Sequence, residues 1–178
     1  MAVLPITLFP EPVLKQVAKP VAKITDDIRK LLDDMAETMY AAPGVGLAAP
    51  QVGVSQQLIV LDPSSNRENA KPQLYQLVNP KITFAEGEIE WEEGCLSIPG
   101  FLLPMTRNSH VIVEAIDRDG KDITIDADEF LAVILQHEID HLHGKLLIDN
   151  VSRLKRDLYL RRLKKILKDG GDPTTMMG

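Results

Sequence analysis

Cysteine occurs once and histidine four times in these 178 residues. A single thiol, Cys95, cannot close an internal disulfide, which excludes the disulfide-stapled extracellular scaffolds and leaves the sulfur free for a metal or for catalysis. No apolar run approaches the roughly 20 residues a membrane-spanning helix requires, so no membrane partner is expected. The opening "MAVLPITLFP" has no basic start followed by a clean apolar stretch. A secretory signal is therefore not expected, and the lack of transit-peptide character points to a bacterial cytosol. Internal repeats and linkers are absent as well. What remains fits one domain, with 44% apolar residues available to bury a core.

The scarce histidine is concentrated. Three of the four fall within "LQHEIDHLHG", residues 135–144. His137 and His141 are four apart, so on a helix they stand one turn above the other on the same face. Two imidazoles at that spacing can grip one metal ion, with Glu138 beside them as a proton carrier. His143 is turned about 120° away by helix geometry and is a poor third ligand. The surrounding "DADEFLAVILQHEIDHLHG" is predicted to be helical, with Asp126 and Glu129 at capping-box spacing and Gly144 as its stop. Its apolar residues run almost all the way round, as in a buried helix. Phe130, Val133, Ile134 and His137 share one face of it.

The missing ligand has a candidate in Cys95, within "EEGCLSIPG". A lone cysteine is more often a small buried hydrophobe. Here a two-histidine site lacks one ligand, and a thiolate with two imidazoles leaves one position of a tetrahedral ion open, as in catalytic sites. A third unusual stretch is "APGVGLAAPQ", residues 42–51. Its glycines admit a ligand close to the backbone, and Gln51 carries an amide able to donate to a developing oxyanion. A turn between helix and strand explains most of that stretch equally well.

Elsewhere, "ITDDIRKLLDDMAETMYAA" is predicted to form a helix over about 26–42, capped by Thr25, with Ile28, Leu31, Leu32, Met35 and Met39 as its buried stripe. Strands are expected at 57–62, 74–79, 81–91, 110–117 and 121–126, the last two joined by a turn at "RDG". The segment "SIPGFLLPMTR" is taken as a loop. The fold class is α+β: antiparallel strands packed around a central helix carrying His-Glu-x-x-His, with one helix N-terminal and another C-terminal to them. Residues 1–168 would form the single domain and 169–178 a disordered tail.

Charge is uneven. Residues 153–168 hold eight bases against one acid, Asp157, a local net charge of +7 in a chain of −6 overall. Such asymmetry suggests a polyanionic partner, although a solvated helix face accounts for it too. Leu154, Leu158, Leu163, Ile166 and Leu167 are expected to pack that helix against the domain.

Taken together, "GVGLAAPQ", "EGCLS" and "QHEIDH", in this order and at these separations, resemble the three signature motifs of the peptide deformylase family. The likeness extends from "ITLFPEPVLKQVAKPV" into the C-terminal helix. It implies a hydrolase that removes the formyl group from the N-terminal formylmethionine of newly made polypeptides, releasing formate. Carried over residue by residue, it makes Cys95, His137 and His141 the metal ligands and Glu138 the general acid/base. Gln51 and the backbone N–H of Leu96 become oxyanion donors. Val45, Gly46 and Gly94 pair with the substrate backbone, and Val45, Trp91, Phe130, Val133 and Ile134 line the methionine pocket. The implied metal is Fe(II), although the same ligands would accept Zn, Ni or Co. Iron beside a thiolate would be sensitive to oxygen. Bacterial relatives dock on the ribosome through the basic C-terminal helix, so residues 152–168 are expected to contact it. The sequence departs from the family at Leu102, where many relatives carry a base, and at Met105, where valine is usual. An apolar "GFLL" rim would favour apolar residues just after the methionine. Arg107 fits the pattern and is expected to pair with Glu93. The rival activity is a zinc endopeptidase, which shares His-Glu-x-x-His but leaves Cys95 without a role.

Overall fold

Thr25 opens the first helix: its hydroxyl accepts from the backbone N–H of Ile28 at 3.3 Å, with Asp26 and Asp27 in the first turn. This helix, α1 (Asp26–Ala41), buries Ile28, Leu32, Met35 and Met39, the expected stripe, with Leu31 half-buried at its edge. The computed structural model describes residues 2–173. Among these residues seven strands follow α1: β1 (Gly46–Ala48), β2 (Leu58–Leu61), β3 (Tyr75–Glu86), β4 (Ile89–Cys95), β5 (Ile98–Arg107), β6 (His110–Ile116) and β7 (Asp122–Asp128). Two further α-helices follow among the described residues, α2 (Glu129–Leu142) and α3 (Arg153–Lys168). An antiparallel five-stranded sheet runs in the order β1-β2-β3-β6-β7, and β4 and β5 form a separate antiparallel pair. The architecture is α+β.

The short strand "LIVL" of β2 is buried on both faces, which is why it shows no polar alternation. Ile59 and Leu61 face a cluster with Ala132, Leu135 and Ile139 of α2. Leu58 and Val60 face Leu32, Met35 and Met39 of α1. A third cluster joins Ile98 and Phe101 of β5 to Leu146, Leu147 and Ile148 and to Tyr159 and Leu163 of α3. Thus the sheet is held between α1 and α2, while the β4–β5 hairpin rests on the C-terminal segment.

Four expectations are corrected. The strand expected at 81–91 is two strands, because the chain turns at Gly87 (φ 72°) and leaves one sheet for the other. The segment expected as a loop after Ser97 is β5. Pro99, Gly100 and Pro104 hide its pattern, and prolines are tolerated here because the pair has only edge strands. Asp126 is no helix cap: it lies in β7, its Oδ1 2.6 Å from His110 Nε2, while Asp128 holds the N-cap position of α2 and Glu129 enters with φ 55°. Finally, α3 packs through Tyr159 and Leu163, whereas Leu154, Leu158 and Leu167 are exposed. Leu154 lies nine residues before Leu163, about two and a half turns, and so faces the opposite way.

Residues 169–173 close α3: the Gly170 and Gly171 N–H groups donate to Leu167 and Ile166 carbonyls at 3.2 and 2.8 Å. The rest of the tail, 174–178, lies outside the described residues. No helix among the described residues is long and apolar enough to cross a membrane.

Candidate active site

Helix α2 presents His137 and His141 one turn apart, and their Nε2 atoms approach to 3.2 Å. Cys95, the last residue of β4, brings its Sγ to 3.4 Å from His141 Nε2. All three ligand atoms lie within 4.8 Å of one another. A tetrahedral ion with metal–nitrogen bonds of about 2.0 Å and a metal–sulfur bond of about 2.3 Å has ligand–ligand edges of roughly 3.3–3.6 Å. The cluster matches that spacing, so these residues fit one divalent cation. Exposed His143, at the C-cap of α2, takes no part.

The histidines are oriented from behind. His137 Nδ1–H donates to Glu93 Oε1 at 3.0 Å, which leaves the Nε2 lone pair facing His141 and able to bind an ion. Arg107 Nε and Nη2 clamp the same carboxylate at 2.8 Å each, and Arg107 Nη1 reaches Asp140 at 2.6 Å. Burial opposes charge on Glu93, but the hydrogen bonds from Arg107 and His137 outweigh it and hold its pKa below the usual value. His141 is 1% exposed, and burial pushes its pKa well down, keeping the imidazole neutral with a lone pair to offer. Burial works the same way on His137, yet Cys95 and Glu93 overcome it and favour positive charge there, the charge a cation would supply.

Glu138 lies between the histidines in sequence but is not among the three converging ligand groups. Its Oε1 stands 3.8 Å from His137 Nε2, and its buried Oε2 has no hydrogen-bond partner among the described residues. Burial raises its pKa to about 7, which suits a group that must both take and give a proton. Gly46 leaves it room: a Cβ at that position would stand 2.8 Å from Glu138 Oε1. Gln51, 1% exposed, is fixed by its Oε1, which accepts from Ala48 N–H at 2.9 Å. Its Nε2 donates to Ser97 Oγ at 3.1 Å and points to Cys95 Sγ at 3.5 Å.

A cleft of about 1000 Å³ opens onto this cluster. Among the residues singled out from sequence, Val45, Gly46, Gln51, Trp91, Gly94, Cys95, Leu96, Phe130, Val133, Ile134, His137 and Glu138 all line it. The exception is His141, which lines a second cavity of about 280 Å³ behind the cluster. Trp91 and Phe130 stack with ring centroids 5.0 Å apart, forming an apolar wall beside the ligands. The sequence reading missed Ser97, Asp140 and the loop residues Ser65 to Arg67. Asp140 carried a signal, standing three residues beyond His137 on the same helix.

A buried carboxylate beside three side chains able to hold one cation, all in or against one cleft, is the arrangement of a metal-dependent hydrolase. The family model described as polypeptide deformylase matches residues 3–157. A peptide deformylase from Thermodesulfovibrio yellowstonii is 53% identical over 164 residues, covering 92% of this chain and 98% of that one. A peptide deformylase structure from Legionella pneumophila, 43% identical, superposes with a TM-score of 0.85 over 95% of this chain and 98% of its own. One from Ehrlichia chaffeensis in complex with actinonin, 39% identical, gives 0.86 over 93% and 98%. The chain belongs to the peptide deformylase family. It is an enzyme, a hydrolase that removes formyl groups from nascent peptides, and membership implies a divalent metal ion. Nothing in these likenesses favours an endopeptidase.

Proposed function

We propose that residues 1–168 act as one catalytic domain, with α2 as its central helix, on the N-terminal formylmethionine of newly made polypeptides. In this reading Cys95, His137 and His141 hold the metal, Fe(II) in the cell as the family resemblance implies, with Zn, Ni or Co as acceptable replacements. A divalent ion held there supplies Lewis acidity, which makes water a competent nucleophile near neutral pH. Glu138 takes the proton of the attacking water and delivers it to the departing amine nitrogen, so that formate and a free N-terminus result. The Gln51 amide and the Leu96 N–H donate to the formyl oxygen as negative charge develops on it. Val45, Gly46 and Gly94 pair with the extended substrate backbone. The methionine side chain lies against Val45, Trp91, Phe130, Val133 and Ile134. A formyl carbon bears only hydrogen beyond its oxygen and nitrogen, so a close fit of the reacting group would favour it over an acetyl group.

The observation that carries this reading is the buried Glu138 carboxylate, without a hydrogen-bond partner at Oε2 among the described residues and with Oε1 3.8 Å from His137 Nε2. Formate release from formyl-Met peptides tests it. Acetyl-Met peptides and internal peptide bonds should remain intact; cleavage of internal bonds would instead support the endopeptidase.

The basic helix α3 supports a cytoplasmic, ribosome-associated role. Arg161, Lys164, Lys165 and Lys168 are exposed, and exposed Leu154 and Leu158 share the outward side with them. Formylated chains emerge from a particle dense with RNA phosphate, and contacts of this kind read charge rather than sequence. Deletion after Val151 would also remove Tyr159 and Leu163 from the core, so charge reversal at Arg161, Arg162, Lys164 and Lys165 is the cleaner test. It is expected to abolish salt-sensitive ribosome binding and to leave turnover on a short formyl-Met peptide unchanged. Ribosome affinity that survives the reversal would reduce α3 to a solvated face.

A further inference from the structure

The cleft, about 1000 Å³, is also lined by residues beyond those assigned to the formylmethionine, among them Ser65, Asn66 and Arg67. Its inner end is marked by Gly46, packed against the Glu138 carboxylate. Val45 and Gly44 lead outward from there, and each residue of an extended substrate alongside them advances roughly 3.3 Å from the scissile amide. Beyond Gly44 the wall is built by the loop between β2 and β3: Ser65 Oγ donates to the Gly44 carbonyl at 2.7 Å, and Arg67 lines the cleft. With the methionine beside Gly46 and Val45 and the second residue beside Gly44, the third residue reaches this loop.

The loop is braced rather than loosely hung. Asp62, 1% exposed, accepts hydrogen bonds from Tyr40 Oη at 2.6 Å, from Ser64 N–H and Oγ at 2.8 and 2.6 Å, and from Gln73 N–H at 3.2 Å. The Arg67 N–H donates to the Ser64 carbonyl at 2.9 Å, which fixes where its side chain begins. Arg67 is exposed, and among the described residues no carboxylate pairs with it. Leu102, 55% exposed and in register with Gly94, also lines the cleft and offers no charge. Of the acids in the lining, Glu138 packs against Gly46, Glu93 is clamped by Arg107, and Glu92 follows Trp91 on β4.

We infer that Arg67 is a specificity-determining residue, selecting an acidic side chain at the third position of the formylated substrate. The inference rests on the deformylase reading. Arg67 touches no reacting atom, so its influence falls on KM rather than kcat.

The test uses the metal-loaded enzyme and three peptides, formyl-Met-Ala-X with X as Glu, Gln or Lys, each C-terminally amidated to remove the terminal carboxylate. At low ionic strength kcat/KM should fall in that order. Glu should exceed Lys by about two- to fivefold, the range of a solvent-exposed ion pair, and the gap should close as salt is added. Arg67→Gln should level the series, Arg67→Glu should reverse it, and Glu92→Gln should leave it as in the wild type. Equal kcat/KM for the three peptides, or an order that survives Arg67→Glu, overturns the inference alone. No formate from any of the three overturns the deformylase reading and the inference with it.

Discussion

Glu138→Ala is expected to keep its metal and to lose roughly 10²- to 10⁴-fold in turnover, the contribution that a positioned general acid/base makes. Cys95, His137 and His141 are the groups whose ligand atoms converge to hold an ion, so truncating Glu138 removes none of them. The folded protein should tolerate the change, because Glu138 is 4% exposed and its Oε2 lacks a hydrogen-bond partner among the described residues. Burial has already raised the pKa of this group to about 7, well above an ordinary glutamate, so its proton affinity is matched to the task. Glu138→Gln separates proton transfer from packing. It keeps the volume and the hydrogen-bonding capacity but cannot carry the proton, so it should fall nearly as far as alanine. Metal content per chain and formate release under saturating formyl-Met peptide are the measurements. Near-normal turnover with metal bound would move the proton-transfer role to another residue.

Much of the site could be read in the sequence because its chemistry is local there. His137, Glu138 and His141 lie on one turn of one helix, and helical spacing alone sets the two imidazoles on a common face. The α1 stripe was legible for the same reason. Contacts made through sheet register were harder to read. Glu93 and Arg107 meet only because β4 and β5 pair as a hairpin, and β5 was masked by Pro99, Gly100 and Pro104. Even so, the pairing of Glu93 with Arg107 was anticipated through the family pattern, whereas the second partner, Asp140, was not. Ser97 escaped notice because a serine near a cysteine carries no signal until Gln51 arrives from 46 residues away in sequence. Arg67 sits in a polar loop whose composition says only that it is a loop. The error at α3 has a different origin: its leucines are frequent enough to suggest an apolar side, but Tyr159 decides which side faces inward. Its hydroxyl donates to the Pro99 carbonyl at 2.6 Å and its ring meets Phe101 at 5.7 Å, contacts that periodicity does not predict.

Cys95→Ser is expected to lose more than about 100-fold in metal affinity, beyond the 10- to 100-fold typical of removing a partner that only orients a ligand. The thiolate is the one anionic ligand of the three, and a neutral hydroxyl is both harder and less basic toward a first-row cation. The fold should survive, since serine is nearly isosteric and the half-buried thiol contacts Gln51 Nε2 at 3.5 Å, a group that a hydroxyl can also accept from. Competition with a chelator of known affinity gives the loss directly. Thermal unfolding gives it independently, because a metal that binds only the folded chain raises stability with the logarithm of one plus the ratio of free metal to its dissociation constant. The wild type should therefore fall in Tm when a chelator is added, while Cys95→Ser, already short of metal, should barely respond. Arg107→Met supplies the graded comparison. It frees Glu93 from its clamp, loosens the orientation of His137 and should cost affinity within the smaller range while leaving all three ligands in place. If Cys95→Ser held its metal as tightly as the wild type, the sulfur would be a neighbour of the site rather than a ligand, and the third position would have to come from elsewhere in the cleft.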